Sequence, residues 1–239
     1  MGTPQFIHLR LHSEFSIADG LVRIDDLVQA AAADQQAAIA VTDLANVFGM
    51  VKFYTEARSK GIKPIIGCDV WITNEDEREK PFRLLLLVKN HSGYLQLCDL
   101  LSRAWLTNQH RGRAEIRIDW LQSLEQKDGM IALSGFHLGD IGVALENGNT
   151  ELAERCAQRW EAIFPGNFYI EIQRSGNPRL ENLLRRLTHL AAKFGLPVVA
   201  THPVQFIKPE EFTAHEARTC ISEGEILANT RRPKRFTAE

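Results

Sequence analysis

The chain has 239 residues, of which 44% are hydrophobic, 24% charged and 8% aromatic. These are average values for a globular protein and exclude disordered, collagen-like and coiled-coil architectures. Lys and Arg number 28 against 30 Asp and Glu, a formal net charge of −2, so bulk charge gives no hold on nucleic acid or on an anionic membrane.

At about 150 residues per domain the length allows one or two domains, but a single α/β barrel commonly reaches about 250 residues. No uncharged apolar run approaches the roughly 18 residues that span a bilayer, and the start MGTPQFIHLRLH has no basic stretch leading into an apolar one. A cytoplasmic location is therefore expected. Cys68, Cys98, Cys156 and Cys220 lie far apart without a CxxC pair, which removes zinc-ribbon and thioredoxin-type motifs and leaves buried free thiols as the expectation.

Short apolar runs alternate with amphipathic ones along the chain. Strands are expected at 6–12 (FIHLRLH, period two), 37–43 (AAIAVTD), 62–72 (IKPIIGCDVWI), 84–89 (LLLLVK), 129–135 (GMIALSG), 167–174 (NFYIEIQR) and 196–202 (LPVVATH). Three-to-four-residue apolar spacing predicts helices at 24–35, 47–61, 92–105, 150–164 and 178–195. Ser92 is a candidate N-cap, and Gly195 followed by Pro197 closes the last helix. The charged piece TNEDEREKP at 73–81 reads as a solvated hairpin loop. Strand followed by helix, repeated about seven times, is the pattern of a parallel sheet, and a closed β/α barrel is preferred to an open doubly wound one. No G-x-G-x-x-G turn follows the first strand and no P-loop occurs, which disfavours dinucleotide and NTP sites.

In such a barrel the working side chains project from the C-terminal strand ends. Those ends carry His12, Asp43, Asp69, Ser134, Arg174 and His202, with Asp19 in the loop after the first strand. Histidines and carboxylates converging from separate strands are the ligand types of a hydrolytic zinc, manganese or iron site. Each also has a structural explanation: Asp43 could cap the next helix, Asp69 could serve a turn, and His8 and His12 could be hydrogen-bonded strand residues. His91, His110, His137, His189 and His215 show no partner spacing and read as surface or packing residues.

Together the pieces HLRLHSEFSIADG (8–20), AVTDLANVFGMVKFY (40–54) and GIKPIIGCDVW (61–71) strongly resemble the opening motifs of the polymerase and histidinol phosphatase (PHP) family. They look like its version at the N-terminus of bacterial replicative polymerase α subunits. LLLLVKNHSGYLQL, GMIALSG, FYIEIQRSG and GLPVVATHPVQFI follow in the same order, so the resemblance covers residues 5–235. It implies a distorted seven-stranded β/α (TIM-like) barrel over 1–230, with 231–239 opening a connector to a polymerase core.

The resemblance also implies where the chain departs from metal-binding members. Their first motif is H-x-H, where this chain has Arg10 and His12, with Asp19 as the acidic residue that follows. Their Thr-Asp-His is here Thr42, Asp43 and Leu44, and a glutamate is replaced by Asp69. The closing Asn-Asp-x-His is His202, Pro203, Val204 and Gln205, and Phe136 and Ser175 stand where a cysteine and a histidine would. Leu44, Phe136 and Pro203 have no donor atom. Arg10 adds fixed positive charge where a ligand should neutralise a cation, and at about 4 Å in a dielectric of roughly 20 each unit-charge pair is worth about 4 kcal/mol.

The metal centre is accordingly expected to be vestigial, made of Arg10, His12, Asp19, Asp43, Asp69 and His202, with no catalytic residue and no cofactor in this domain. Arg10 is expected to pair with Asp19, Asp43 or Asp69. Any residual zinc or manganese would use His12, Asp19, Asp43, Asp69 and His202, and Mg would belong to the parent polymerase. The implied partners are the polymerase core of the same chain, the proofreading exonuclease subunit and the rest of the replisome, with DNA held by the parent chain and no membrane. The competing expectation is an active metal-dependent phosphoesterase or proofreading nuclease. The basic runs 109–113 and 231–235 raise direct nucleic-acid binding as a third.

Overall fold

The structure is a computed structural model that describes residues 6–174 and 178–229. The connector expected at 231–239, its basic run and Ser175 lie outside the described residues.

In chain order the elements are α1 (Ile24–Ala33), β1 (Ala38–Val41), α2 (Met50–Ser59), β2 (Lys63–Ile72), β3 (Phe82–Val88) and α3 (His91–Thr107). There follow β4 (Gln109–His110), β5 (Arg113–Ile116), α4 (Ile118–Gln122), β6 (Met130–Leu133), α5 (Asp140–Glu146) and α6 (Thr150–Ile163). The last are β7 (Phe168–Gln173), α7 (Pro178–Phe194), β8 (Val198–Thr201) and α8 (Phe212–Glu223). The chain forms two compact units, Met1–Ile66 with His202–Glu239, and Gly67–Thr201.

In the first unit β1 pairs in parallel with the start of β2, Ala38 opposite Lys63 through Val41 opposite Ile66. Its core joins Leu11, Val22, the inner face of α1 (Ile24, Leu27, Val28, Ala31), Ile39 and Val41 of β1, and Phe53 and Ala57 of α2. The strand expected at 6–12 is present only as isolated parallel bridges, Leu11 with Val204 and Ser13 with Val22. Its backbone is nevertheless paired on both sides. Ala40 N donates to the His8 carbonyl and Thr42 N to that of Leu11, while His12 N donates to Val204 and Val204 N to Arg10. The ladder breaks because the Leu11 amide donates to the Thr42 hydroxyl, at 2.9 Å, and not to a backbone carbonyl.

In the second unit the sheet is mixed. β2 and β3 are antiparallel across the 73–81 loop, β3 and β6 are antiparallel, and β6, β7 and β8 run parallel. The hairpin loop was legible; the reversed strand it imposes on an otherwise parallel pattern follows from it, because a connection this short cannot return the chain to a parallel start. The short pair β4–β5, antiparallel, adds an edge that the apolar pattern did not announce. Helix ends follow local chemistry. Asn90, two residues ahead of the expected Ser92, caps α3 by accepting from Gly93 N at 2.9 Å, and Gly195, at φ +65, turns the chain out of α7. Of the four free cysteines, Cys68, Cys156 and Cys220 are buried and Cys98 is half-buried. No helix among the described residues is long and apolar enough to cross a membrane.

Candidate functional site: a buried carboxylate network

The loop after Leu11 folds tightly back on itself. Ser16 N donates to the Ser13 carbonyl, and Asp19 N and Gly20 N both donate to Ser16. Gly20 is obligatory in this turn, because a Cβ there would sit 1.9 Å from the Ser13 carbonyl oxygen. The turn carries Asp19 back to His12, so that His12 Nδ1 lies 2.8 Å from Asp19 Oδ1. Gln205 donates its Nε2 to the other oxygen, Asp19 Oδ2, at 3.0 Å. Its carbonyl Oε1 in turn lies 2.7 Å from His215 Nε2 on α8. With the Gln205 amide so oriented, His215 is the donor in that contact. His12, Asp19, Gln205 and His215 are all buried, and the four form one relay from the N-terminal loop to the last helix.

Asp43, at the end of β1, is also buried. Its Oδ1 accepts from Ser13 N at 2.7 Å and from Ser16 Oγ at 2.9 Å. The Ser13 hydroxyl reaches both oxygens, at 2.9 and 2.8 Å. These hydroxyls are themselves acceptors, Ser16 Oγ from Leu44 N and Ser13 Oγ from Phe15 N. Burial nonetheless pushes the Asp43 carboxyl above its ordinary value, against the opposing pull of the two serines and of His12. His202, by contrast, is exposed, with its ring 6.4 Å from that of His8. Partial burial of the two rings lowers both pKa values, and the proximity of His202 lowers that of His8 further. Arg10 is buried.

The second unit holds Asp69, in the middle of β2 and fully buried. Arg83 on β3 grips it with a two-pronged contact, Nε to Oδ1 at 3.1 Å and a terminal nitrogen to Oδ2 at 2.6 Å. The Arg83 guanidinium also lies 4.3 Å from the centre of the Trp71 ring. A further buried acid, Glu171 on β7, accepts from Gly135 N at 3.1 Å, from Gln173 Nε2 at 3.1 Å and from the Thr201 hydroxyl. Its backbone amide donates to Ser134 Oγ at 2.9 Å, so Ser134 is spent on the fold. Arg174 is exposed and pairs with Glu181 at 2.9 Å.

Sequence reasoning missed Ser13, Ser16, Arg83 and Glu171 as members of these networks. An arginine opening a run of four leucines, and a glutamate inside FYIEIQ, were the available signals: each is a charge placed in a buried strand. Among the described residues, no group of three or more His, Cys, Asp and Glu side chains could hold a metal ion. The basic run at 109–113 is answered by acids, with His110 and Arg111 on Glu79 at 2.9 and 2.8 Å, and Arg113 on Glu115 at 3.4 Å.

The family description "PHP domain" matches residues 8–175. The chain is 46% identical over 239 residues to the DNA polymerase III subunit alpha of Neisseria meningitidis serogroup A, covering 99% of this chain and 21% of the relative. Its identity to the subunit of the same name is 44% in Pseudomonas aeruginosa, over 98% of this chain and 20% of the relative. In Escherichia coli K12 it is 38%, over 100% and 20%. The chain thus spans about a fifth of the length of these relatives. Among solved structures, an amidohydrolase from Chromobacterium violaceum with bound sulfate and no metal is similar at a TM-score of 0.58 and 14% identity, over 89% of this chain and 96% of that one. A Bifidobacterium adolescentis protein described as a metal-dependent phosphoesterase is similar at a TM-score of 0.51 and 12% identity, over 84% and 87%. At these identities the likeness is one of fold, an α/β fold consistent with a distorted barrel.

Proposed function

Since the chain belongs to the PHP domain family, we propose that it is the N-terminal PHP module of a bacterial replicative polymerase α subunit, cytoplasmic, with a degenerate metal site. Its work is structural: it packs against the polymerase core of the parent chain and receives the proofreading exonuclease subunit. The whole subunit, not this module, carries nucleotidyl transfer.

One observation carries this reading. The carboxylates that a metal would need already accept hydrogen bonds from the protein: Asp43 from Ser13 and Ser16, Asp19 from His12 and Gln205, and Asp69 from Arg83. A carboxylate has about four lone-pair sites, so each of these bonds takes up one that a cation would use and ties the oxygen to a fixed direction. Arg83 would also stay as a fixed positive charge beside the incoming one. Among the described residues no three His, Cys, Asp or Glu side chains are gathered to hold a metal ion, and no hydrolytic step is assigned to them. Buried Arg10 is proposed to supply further countercharge to this carboxylate set.

Elemental analysis of the purified full-length subunit, followed by phosphoesterase assays with added manganese or zinc, tests the reading. No stoichiometric zinc or manganese and no turnover attributable to the module are expected. Stoichiometric metal together with turnover that disappears in His12→Ala would replace it with the phosphoesterase reading. Exonuclease docking is tested separately by co-elution of the two subunits in size-exclusion chromatography.

A further inference from the structure

Glu115 on β5, in the second unit, is a fully buried carboxylate with little to hold it. Its Oε1 accepts from Arg113 Nε at 3.4 Å, and its Oε2 has no hydrogen-bond partner among the described residues. Arg78 Nε, from the 73–81 loop, stands 3.7 Å from Oε2, beyond hydrogen-bond reach. The same sheet shows what a seated arginine looks like: Arg83 meets Asp69 through two nitrogens at 3.1 and 2.6 Å, with both residues buried. Trp71 lies opposite both Glu115 and Arg83 in register, so the two acids share one face of the sheet. Asn108, also buried, completes the surroundings of Glu115. Its amide nitrogen is spent on the Thr73 hydroxyl and the Glu115 carbonyl, at 2.9 Å each. That leaves its Oδ1 to accept from Arg78, at 2.5 Å.

We propose that Glu115 and Asn108 form a receptor for an arginine presented by a partner protein, and that Arg78 occupies it as a self-ligand which the partner displaces. A carboxylate oxygen and an amide oxygen side by side are acceptors that a planar guanidinium fits. Arg78 identifies that chemistry but meets it only in part, with one bond to Asn108 and none to Glu115. A guanidinium bonded to both would satisfy the oxygen that the chain's own residue leaves unmet, and burial makes an unmet oxygen costly. The loop that carries Arg78 is suited to lifting as a unit. Asn74 closes it internally, donating to the Lys80 carbonyl at 2.9 Å and accepting from Asp76 N and Glu77 N at 3.2 Å. Its other ties are a bond from Arg113 to the Arg78 carbonyl at 3.1 Å and ion pairs of Glu79 with His110 and Arg111 and of Glu75 with Arg117. Glu75, Glu79 and Arg111 are exposed, and such pairs hold weakly. The inference does not depend on the module reading.

Saturation-transfer NMR on the full-length subunit tests this, with N-acetylarginine amide as the probe and N-acetylcitrulline amide as its uncharged counterpart. The native protein is compared with Arg78→Ala and with the double variant Arg78→Ala, Glu115→Gln, after circular dichroism has checked folding. N-acetylarginine amide is expected to bind Arg78→Ala at least fivefold more tightly than the native protein. Glu115→Gln should abolish that gain, and the citrulline probe should show none. Equal affinity for the native protein and Arg78→Ala would overturn the proposal, because the loop would then occupy no receptor. So would a gain that survives Glu115→Gln. If the double variant does not fold, the two probes on Arg78→Ala decide alone: equal gains for the charged and the uncharged one would overturn the proposal.

Discussion

Arg83 on β3 holds Asp69 on β2 through two nitrogens at 3.1 and 2.6 Å, with both side chains buried. Removing one partner from such a pair strands the other charge in a poorly solvated interior, at a cost of about 3–5 kcal/mol. Arg83→Leu is expected to lower unfolding free energy by that amount in chemical denaturation. Arg83→Lys, which keeps the charge but loses the two-pronged geometry, should fall between it and the native protein. Equal stability of all three would show that the pair contributes nothing net to folding.

Asp43 carries a second expectation, with a definite sign. Its folded pKa lies above the ordinary carboxylate value, so the native state binds the proton more tightly than the unfolded chain. Stability contributed by this group is present at low pH and is lost as pH rises from about 4 through the raised value. Asp43→Asn keeps an acceptor for Ser13 N and Ser16 and cannot titrate. Its stability relative to the native protein should improve as pH rises through that window. Asp43→Leu leaves the serine donors without an acceptor and should cost about 3 kcal/mol at neutral pH. Urea melts of the three proteins between pH 4 and 7 read both effects.

The neighbouring rings of His8 and His202 lie 6.4 Å apart. Burial depresses both pKa values and His202 depresses that of His8 further. Both should titrate below the ordinary histidine value of about 6.5 in NMR. In His202→Ala the His8 transition should move up. Their linkage contribution is present above about pH 6.5 and is lost as the pH falls through the lowered native values, because only the unfolded chain takes up protons readily there. An unmoved His8 titration would mean that the two rings do not sense one another.

Gln205 is the single bridge between Asp19 and His215 in the described relay. Gln205→Leu is close in size but offers neither donor nor acceptor, and a loss of about 1–3 kcal/mol is expected in thermal or urea unfolding. Gln205→Glu would set a second carboxylate against Asp19, so its deficit should shrink on acidification, whereas that of the leucine variant should not.

What the sequence made legible follows from how each signal arises. β1, β3, β6, β7 and the second half of β2 coincide with apolar runs because burial on both faces leaves little room for polar residues, whereas β8 is apolar although it is largely exposed. β4 and β5, in QHRGRAEI, stayed hidden because they are short and carry His110, Arg113 and Glu115, the last a buried acid answered by Arg113. The segment at 6–12 has a strand's alternation, but the Thr42 side chain takes over one of its backbone bonds. In the site, the turn joining His12 to Asp19 was readable as a motif with its glycine. Arg83 was not, because nothing local distinguishes an arginine facing a carboxylate from one facing water. Gln205 was legible only as a departure from a pattern, and its role needed the positions of Asp19 and His215.

The serine hydroxyls around Asp43 also fix an electrical direction. Leu44 N points at Ser16 Oγ and Phe15 N at Ser13 Oγ, and both hydroxyls point on at the carboxylate. Amide, hydroxyl and acid are thus aligned head to tail, each dipole polarising the next, with every positive end facing inward. These dipoles offset part, not all, of the cost that burial imposes on the Asp43 anion. A cation arriving there would have to share the Asp43 oxygens with these donors, so restoring single ligand side chains would leave it competing with both serines for as long as they keep their orientation.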